Sequence, residues 1–147
     1  MSGFRLGIDV GGTKCLGVVL SPTGEVVTAL KRPTPRGDGS LPMLITTLTE
    51  MVTAFEAECG TIDTVGVGVP GLVTYEGVLR AAPNLDSVAD FDIAGELSST
   101  IRQPVKVGND ATCGALAEWK LGAASGTRDM MLVTLGTGIG GGVVAGG

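Results

Sequence analysis

The sequence predicts an α/β domain in which helices flank a mixed sheet. Two observations predict this fold class. Short apolar runs that end in glycine, proline or turn residues are typical of strands, and apolar residues at helical spacing over 41–55 are typical of an amphipathic helix. The segments follow in the order strand, strand, strand, helix, strand, helix, strand, helix, strand, strand, and this alternation favours a layered domain with a mixed sheet.

The chain is predicted to open with an antiparallel meander of three strands. Apolar runs at 4–10 and 15–20 flank a glycine pair, and a turn signal at 21–24 precedes a third run at 25–30. The apolar run at 4–10, which ends in the glycine pair, is typical of a buried strand followed by a tight turn.

The remaining elements are predicted from periodicity and from stop signals. Ser40 is a candidate N-cap for the long helix, which we expect to end before Gly60. Asp92 is a candidate cap for a short helix that reaches residue 101. The other expected elements are a strand at 62–69, a hairpin at 72–82, a strand at 105–107, a helix at 110–121, and strands at 130–135 and 139–144.

The small and polar residues 123–128 indicate a domain boundary. We expect an amino-terminal domain at 1–122. Residues 123–147 would then form a linker and the opening β-hairpin of a second domain, which is truncated.

Composition excludes several classes of protein. The net charge is −5 and lysine and arginine form no patch, so we expect no nucleic-acid partner. Histidine is absent and three cysteines are scattered at 15, 59 and 113, so neither a zinc site nor a disulfide framework is expected. The first residues lack the apolar core of a signal peptide, and no apolar run is long enough to span a membrane. These features predict a cytoplasmic protein without a membrane partner.

The motif richest in chemistry is Gly-Ile-Asp-Val-Gly-Gly-Thr-Lys, which ends at Lys14. Backbone amides at Gly11 and Gly12 can approach an anion closely, Thr13 adds a hydroxyl donor, and the lysine adds positive charge. Asp9, at the strand end, can hold a hydrated Mg²⁺ ion, which prefers oxygen ligands and keeps several waters. The motif matches neither the Walker nor the Rossmann pattern. It predicts a phosphate-binding turn, and the alternative is an ordinary β-turn with a polar tip.

A second glycine-rich turn lies between the last two predicted strands, at Gly136, Thr137 and Gly138. Five glycines within residues 136–142 are more than a hairpin requires. A loop that approaches phosphate oxygens explains the surplus, and the alternative is a flexible glycine hairpin. Two such turns, each opening a domain, suggest a phosphate group held between two halves of a protein.

Asp110 stands where a predicted strand meets a predicted helix. A carboxylate there can accept the proton of a sugar hydroxyl as a phosphoryl group is transferred to it. Asn109 offers both a donor and an acceptor to neighbouring hydroxyls. The alternative is that Asp110 merely caps the helix. Gly71 and Asn84 lie in predicted loops and could contact a ligand, although each is also typical of an ordinary turn.

Taken in series over the whole chain, these motifs resemble those of the ROK family of sugar kinases and sugar-responsive repressors. The resemblance implies an actin/hexokinase/Hsp70-like (ribonuclease H-like) fold, with two similar α/β domains around a cleft. It identifies Asp110 as the catalytic base. It also implies two phosphate motifs, at Asp9, Gly11, Gly12, Thr13 and Lys14 and at Gly136, Thr137 and Gly138, and sugar contacts at Gly71, Asn84, Asn109 and Asp110.

The resemblance also implies an activity, namely ATP- and Mg²⁺-dependent phosphorylation of a hexose, most simply of the 6-hydroxyl of glucose. The adenosine pocket, a sugar-binding glutamate and the zinc cluster of the family would lie in a part that this chain does not contain. We therefore expect the segment alone to be inactive and to self-associate as a homo-oligomer. Residues 86–88 depart from the family's Pro-Gly-aromatic pattern, which weakens the case for glucose.

Alternatives within the family stay open. One is a sugar-sensing regulator that lacks its DNA-binding segment. That segment would precede the first phosphate motif, and Asp9 lies too close to the start of the chain to leave room for it. Another is a sugar-binding fragment without catalytic activity. The sequence leaves open the sugar, the choice between ATP and polyphosphate as donor, and the oligomeric state.

Overall fold

The computed structural model describes residues 3–82, 90–136 and 138–147. The described chain forms two compact units, which divide between Gly108 and Asn109. The helices are α1 (Ser40–Cys59), α2 (Ile93–Ile101) and α3 (Asp110–Leu121). The strands are β1 (Phe4–Val10), β2 (Lys14–Leu20), β3 (Val26–Pro33), β4 (Ile62–Val69), β5 (Leu72–Val73), β6 (Val78–Ala81), β7 (Phe91–Asp92), β8 (Val105–Asn109), β9 (Met130–Leu135) and β10 (Ile139–Val144).

The first unit is built on a five-stranded sheet with the strand order β3-β2-β1-β4-β8. Strands β1, β2 and β3 form the predicted antiparallel meander, whereas β1 and β4 run parallel. The sheet is therefore mixed, as the sequence predicts. A smaller antiparallel sheet has the order β5-β6-β7, and its first two strands are the predicted hairpin.

The core of the first unit lies between the five-stranded sheet and α1. Leu6, Ile8 and Val10 are buried on one face of β1, but Gly7 and Asp9 on the other face are exposed. The predicted burial of β1 therefore holds for one of its two faces. The helix contributes its own stripe of fully buried side chains, among them Leu44, Leu48, Met51, Val52 and Phe55.

The ends of several elements differ from the predictions. The N-cap of α1 is Gly39, which makes no side-chain capping bond, and Ser40 is the first helical residue and is buried. The prediction for Asp92 is confirmed, because its carboxylate accepts the Gly95 amide at 2.8 Å. The two-residue strand β7 was not predicted, and β3 continues to Pro33.

The second unit consists of α3 and the antiparallel hairpin of β9 and β10. Helix and hairpin pack very closely: a Cβ atom placed on Gly142 would lie 2.5 Å from Ala115 Cβ, and one on Gly140 would lie 3.0 Å from Ala111 Cβ. A side chain at either glycine would push the helix away. The predicted boundary between residues 122 and 123 separates the two domains of a larger protein, and it stays a prediction.

Candidate active site

The first glycine turn, residues 11–14, connects β1 to β2. The last strand pair before it joins Val10 to Cys15, and the Gly11 amide donates to the Lys14 carbonyl at 2.9 Å. Thr13 and Lys14 are exposed. Predicted phosphate-binding side chains therefore stand on an exposed turn that a backbone hydrogen bond closes.

The carbonyl groups of this turn are bonded to the residues that follow β3, which we call the bracing segment (34–36). Both Nε and Nη2 of Arg36 donate to one of these carbonyls. The bonds run from the Thr34 hydroxyl to the Gly11 carbonyl (2.7 Å), from Arg36 Nε to the Gly12 carbonyl (3.1 Å) and from the Thr34 amide to the Thr13 carbonyl (3.1 Å). Thr34 and Arg36 were not among the predicted site residues. Only the strand topology could have pointed to them, because the third strand of an antiparallel meander must end beside the turn between the first two strands.

Asp9 lies at the carboxyl end of β1 and is exposed. Its register partner in β4 is Gly68, and because the two strands run parallel their carboxyl ends meet at one edge of the sheet. The first glycine turn and the Pro70–Gly71 bend therefore share this edge. The negative charge of Asp9 also acts on Cys15: burial raises the pKa of the Cys15 thiol, and Asp9 raises it further.

The donor set around Asp9 suits Mg²⁺ better than a metal that is held by the protein alone. Within the described residues, no three His, Cys, Asp or Glu side chains lie close enough together to hold a metal ion. Mg²⁺ is commonly bound by one or two carboxylates, with water and substrate phosphates as the other ligands. An exposed carboxylate beside a turn that is predicted to bind phosphate fits that pattern.

Gly71 has a structural reason to be glycine. Its φ angle is 115°, which L-residues rarely adopt, and a Cβ atom would overlap the Ala81 carbonyl oxygen of β6. The close approach of the backbone at the β5–β6 hairpin therefore requires glycine. The predicted sugar contact of Gly71 stays a prediction, and that of Asn84 lies outside the described residues.

Asn109 and Asp110 have different tasks at the start of α3. The helix cap is Asn109, whose Oδ1 accepts hydrogen bonds from the Thr112 amide at 3.0 Å and the Thr112 hydroxyl at 3.2 Å. Asp110 is exposed, and its Oδ1 accepts from the Ala111 amide at 2.8 Å and from Asn109 Nδ2 at 3.1 Å. The interpretation of Asp110 as an ordinary helix cap is therefore wrong. Both of these hydrogen bonds end on one oxygen of the carboxylate.

The second glycine turn, residues 136–138, joins β9 to β10. The Gly136 amide donates to the Gly138 carbonyl at 2.9 Å. A Cβ atom on either glycine would meet no atom of the described residues within 4 Å, and Gly136 has no φ angle that requires glycine. Close packing thus explains neither of these two glycines, whereas it explains Gly140 and Gly142, which pack on α3. Thr137 lies outside the described residues.

Within the second unit, the predicted base and the second glycine turn lie at the same end. Ala111 approaches Gly140 and Ala115 approaches Gly142, so α3 runs alongside β10 in the same direction. The start of the helix, which carries Asp110, is therefore next to the start of the strand, which follows the turn. The amino end of a helix also favours bound anions. The other predicted site residues, Asp9, Gly11, Gly12, Thr13, Lys14 and Gly71, belong to the first unit.

Comparison with known proteins places this arrangement in a family. The model of the ROK family matches residues 5–147. The chain belongs to the ROK family. The resemblance inferred from the motifs is thereby confirmed, together with the predicted α/β fold and its mixed sheet.

Relatives of this ROK chain carry the names of sugar kinases. It is 36% identical over 150 residues to a glucokinase of Halalkalibacterium halodurans, which covers 98% of this chain and 44% of that protein. It is 33% identical over 141 residues to an N-acetyl-D-glucosamine kinase of Yersinia enterocolitica, covering 96% of this chain and 46% of that protein. The chain thus spans less than half the length of these two relatives.

A solved structure gives the same picture. The ROK family glucokinase from Streptomyces griseus, in complex with glucose and AMPPNP, matches with a TM-score of 0.86 at 30% identity. The match covers 98% of this chain and 45% of that one. Among the residues that the structure describes, no helix combines the length and apolar character needed to cross a membrane.

Proposed function

We propose that this ROK protein is a sugar kinase that transfers the γ-phosphoryl group of ATP to a hydroxyl group of a hexose. The observation that carries the proposal is the state of Asp110: its carboxylate is exposed, is not the helix cap, and stands at the same end of its unit as a glycine turn. Relatives at 36% and 33% identity bear the names of hexose kinases, which supports the same activity.

Asp110 would act as the general base. A sugar hydroxyl is a poor nucleophile, and a carboxylate within hydrogen-bond distance can accept its proton as the oxygen attacks phosphorus. The bonds to Oδ1 hold the carboxylate in one orientation, so Oδ2 is the atom proposed to take the proton. Asn109, fixed by its capping bonds, would position neighbouring hydroxyls. Gly71 and Asn84 stay predicted sugar contacts.

The two glycine turns would hold the phosphates. In the first turn Thr13 and Lys14 are exposed and can add a hydroxyl donor and a cation to the backbone amides. In the second turn Gly136 and Gly138, with Thr137 between them, leave space for close backbone approach. When bound through water to Asp9, Mg²⁺ would neutralise charge on the phosphates.

Glucose is the proposed sugar, because two of the related proteins are named glucokinases. The N-acetyl-D-glucosamine kinase among the relatives makes that sugar the first competitor. A panel of hexoses, each tested with ATP and with polyphosphate, would decide between the sugars and between the donors.

A cytoplasmic location and homo-oligomer formation stay predictions. Exposed apolar side chains such as Leu135 and Ile139 support homo-oligomer formation.

The test of the base is Asp110→Asn in the whole protein. We expect kcat to fall about 10²- to 10⁴-fold, the usual effect of a positioned base, with hexose binding retained because the amide keeps the shape of the carboxylate. The matched control is Asp92→Asn, since Asp92 also stands at a helix start and accepts one amide at 2.8 Å. Unchanged turnover in Asp110→Asn would overturn the assignment of the base.

A further inference from the structure

The bracing segment determines which way the peptide groups of the first glycine turn point. It binds three consecutive carbonyl groups, those of Gly11, Gly12 and Thr13. In a planar trans peptide the C=O of one residue and the N–H of the next point in opposite directions. The amides of Gly12, Thr13 and Lys14 are therefore directed away from the bracing segment. Three N–H groups that share one direction form a concave donor surface of the kind that binds anions.

The two side chains that hold this orientation differ in burial, because Thr34 is buried and Arg36 is exposed. Thr34 is only 9% exposed, and its hydroxyl donates at 2.7 Å to the Gly11 carbonyl while lying 3.6 Å from Cys15 Sγ. Arg36 uses two nitrogen atoms on a single carbonyl, and a charged donor makes such bonds stronger than neutral ones. Within the turn itself, the backbone bond from Gly11 to Lys14 closes the loop but does not orient the carbonyls of Gly12 and Thr13.

We propose that Thr34 and Arg36 are positioning residues for nucleotide binding, which orient the amides of the first glycine turn toward the phosphates before the nucleotide arrives. The inference rests on the proposed function. Both residues act through backbone carbonyls and need not touch the nucleotide. Their removal should therefore weaken the binding of the phosphates and leave the binding of the hexose unchanged, because preorganised donors lower the entropy loss of binding.

The experiment compares five variants of the whole protein with its wild type. Arg36→Met and Thr34→Val remove the side-chain bonds to the turn with little change in volume. Two controls remove equivalent bonds elsewhere. Arg5→Met deletes a guanidinium that donates to the carbonyls of Ser21 and Pro22, and Thr47→Val deletes a hydroxyl that donates to the Met43 carbonyl at 3.0 Å.

For both test variants we expect the KM for ATP and the Kd for a non-hydrolysable ATP analogue to rise about tenfold. The KM for the hexose should stay within about twofold, as expected for a site left intact. Thr34→Ser keeps the hydroxyl and should restore nucleotide affinity. The two controls should bind nucleotide as the wild type does. The melting temperature is measured for every variant, so that general destabilisation is seen separately.

The possible failures are distinguishable. If the wild type phosphorylates no hexose with any donor, the proposed function is wrong. If it does so, but Arg36→Met and Thr34→Val bind the ATP analogue normally, the inference is wrong and the proposed function stands. A parallel loss of nucleotide and hexose affinity, or an equal loss of nucleotide affinity in Arg5→Met, would also overturn the inference, because either result indicates a purely structural role.

Discussion

The meander of the first unit contains two turns of similar length at opposite ends of β2, and they meet their hydrogen-bonding needs in opposite ways. The first glycine turn (residues 11–14) forms one backbone bond of its own and takes four more, on three carbonyl groups, from the distant bracing segment. The serine turn (residues 21–25) forms its bonds internally: the Ser21 amide donates to the Glu25 carbonyl, the Gly24 amide to the Ser21 carbonyl and the Glu25 amide to the Ser21 hydroxyl.

The difference lies in how the amides are used, and an arginine at the carbonyls does not by itself distinguish the turns. Arg5 donates to carbonyls of the serine turn much as Arg36 does to the first glycine turn. In the serine turn, however, the amides of residues 21, 24 and 25 are already bonded. A turn that satisfies its own amides is a connection between strands. A turn whose carbonyls are bound from outside can offer its amides to a ligand.

The largest effect that would sharpen this comparison is expected from the carboxylates at the two turns. Asp9→Asn should lower kcat/KM for Mg-ATP by about 100-fold, since a metal ion contributes several kcal/mol of charge stabilisation, and should raise the Mg²⁺ concentration needed for half-maximal activity. Glu25→Gln, at the serine turn, should change activity by no more than about twofold. Steady-state kinetics over a Mg²⁺ titration measures both. Equal effects of the two substitutions would break the comparison.

A smaller effect is expected from the threonines in the two turns. Thr13→Val should raise the KM for ATP about tenfold, the scale of one hydrogen bond to a charged group, without loss of stability. Thr23 bonds to the Ser21 hydroxyl at 2.8 Å and donates to Glu25 at 3.3 Å, so Thr23→Val should lower the free energy of unfolding by about 0.5–1 kcal/mol and leave activity unchanged. Steady-state kinetics and urea denaturation are measured for both variants. A rise in the KM for ATP in Thr23→Val, with a loss of stability in Thr13→Val, would contradict the roles assigned to the two turns.

Local patterns predicted the elements well because each carries its own signal. The apolar periodicity of α1, the turn residues at 21–24 and the Asp92 cap are all visible within a few neighbouring residues. The predictions failed where a distant partner decides. Burial of β1 on one face depends on which elements cover the sheet, and Gly140 and Gly142 are required by a helix that precedes them by many residues.

The candidate site shows the same limit. Its motifs are local, so the sequence located both glycine turns and the Asn109–Asp110 pair, although it could not tell which of that pair caps α3. Composition is a poor guide in this case, because Asn and Asp are equally good caps. The bracing bonds of Thr34 and Arg36 span more than twenty residues of sequence and depend on where β3 ends, which no local pattern reveals.

The prediction with the smallest effect on activity concerns the reason for glycine in each turn. Gly24 of the serine turn has a φ angle of 93°, whereas Gly11 has no such angle and is confined by the Lys14 carbonyl oxygen, 3.0 Å from where a Cβ would lie. Gly24→Ala should lower the free energy of unfolding by about 1–2 kcal/mol, the strain of a left-handed conformation, without affecting activity. Gly24→Asn should recover part of the loss, because Asn tolerates positive φ.

The matched control for this strain is Gly7→Ala in β1. A Cβ on Gly7 or on Gly24 meets no atom of the described residues within 4 Å, so the two sites differ in φ and not in space. Alanine at Gly7 should stabilise the fold by about 0.5–1 kcal/mol, because glycine loses more entropy on folding. Urea denaturation gives both values. If Gly24→Ala were as harmless as Gly7→Ala, the serine turn would not require glycine for its backbone conformation, and backbone conformation could no longer distinguish Gly24 from Gly11.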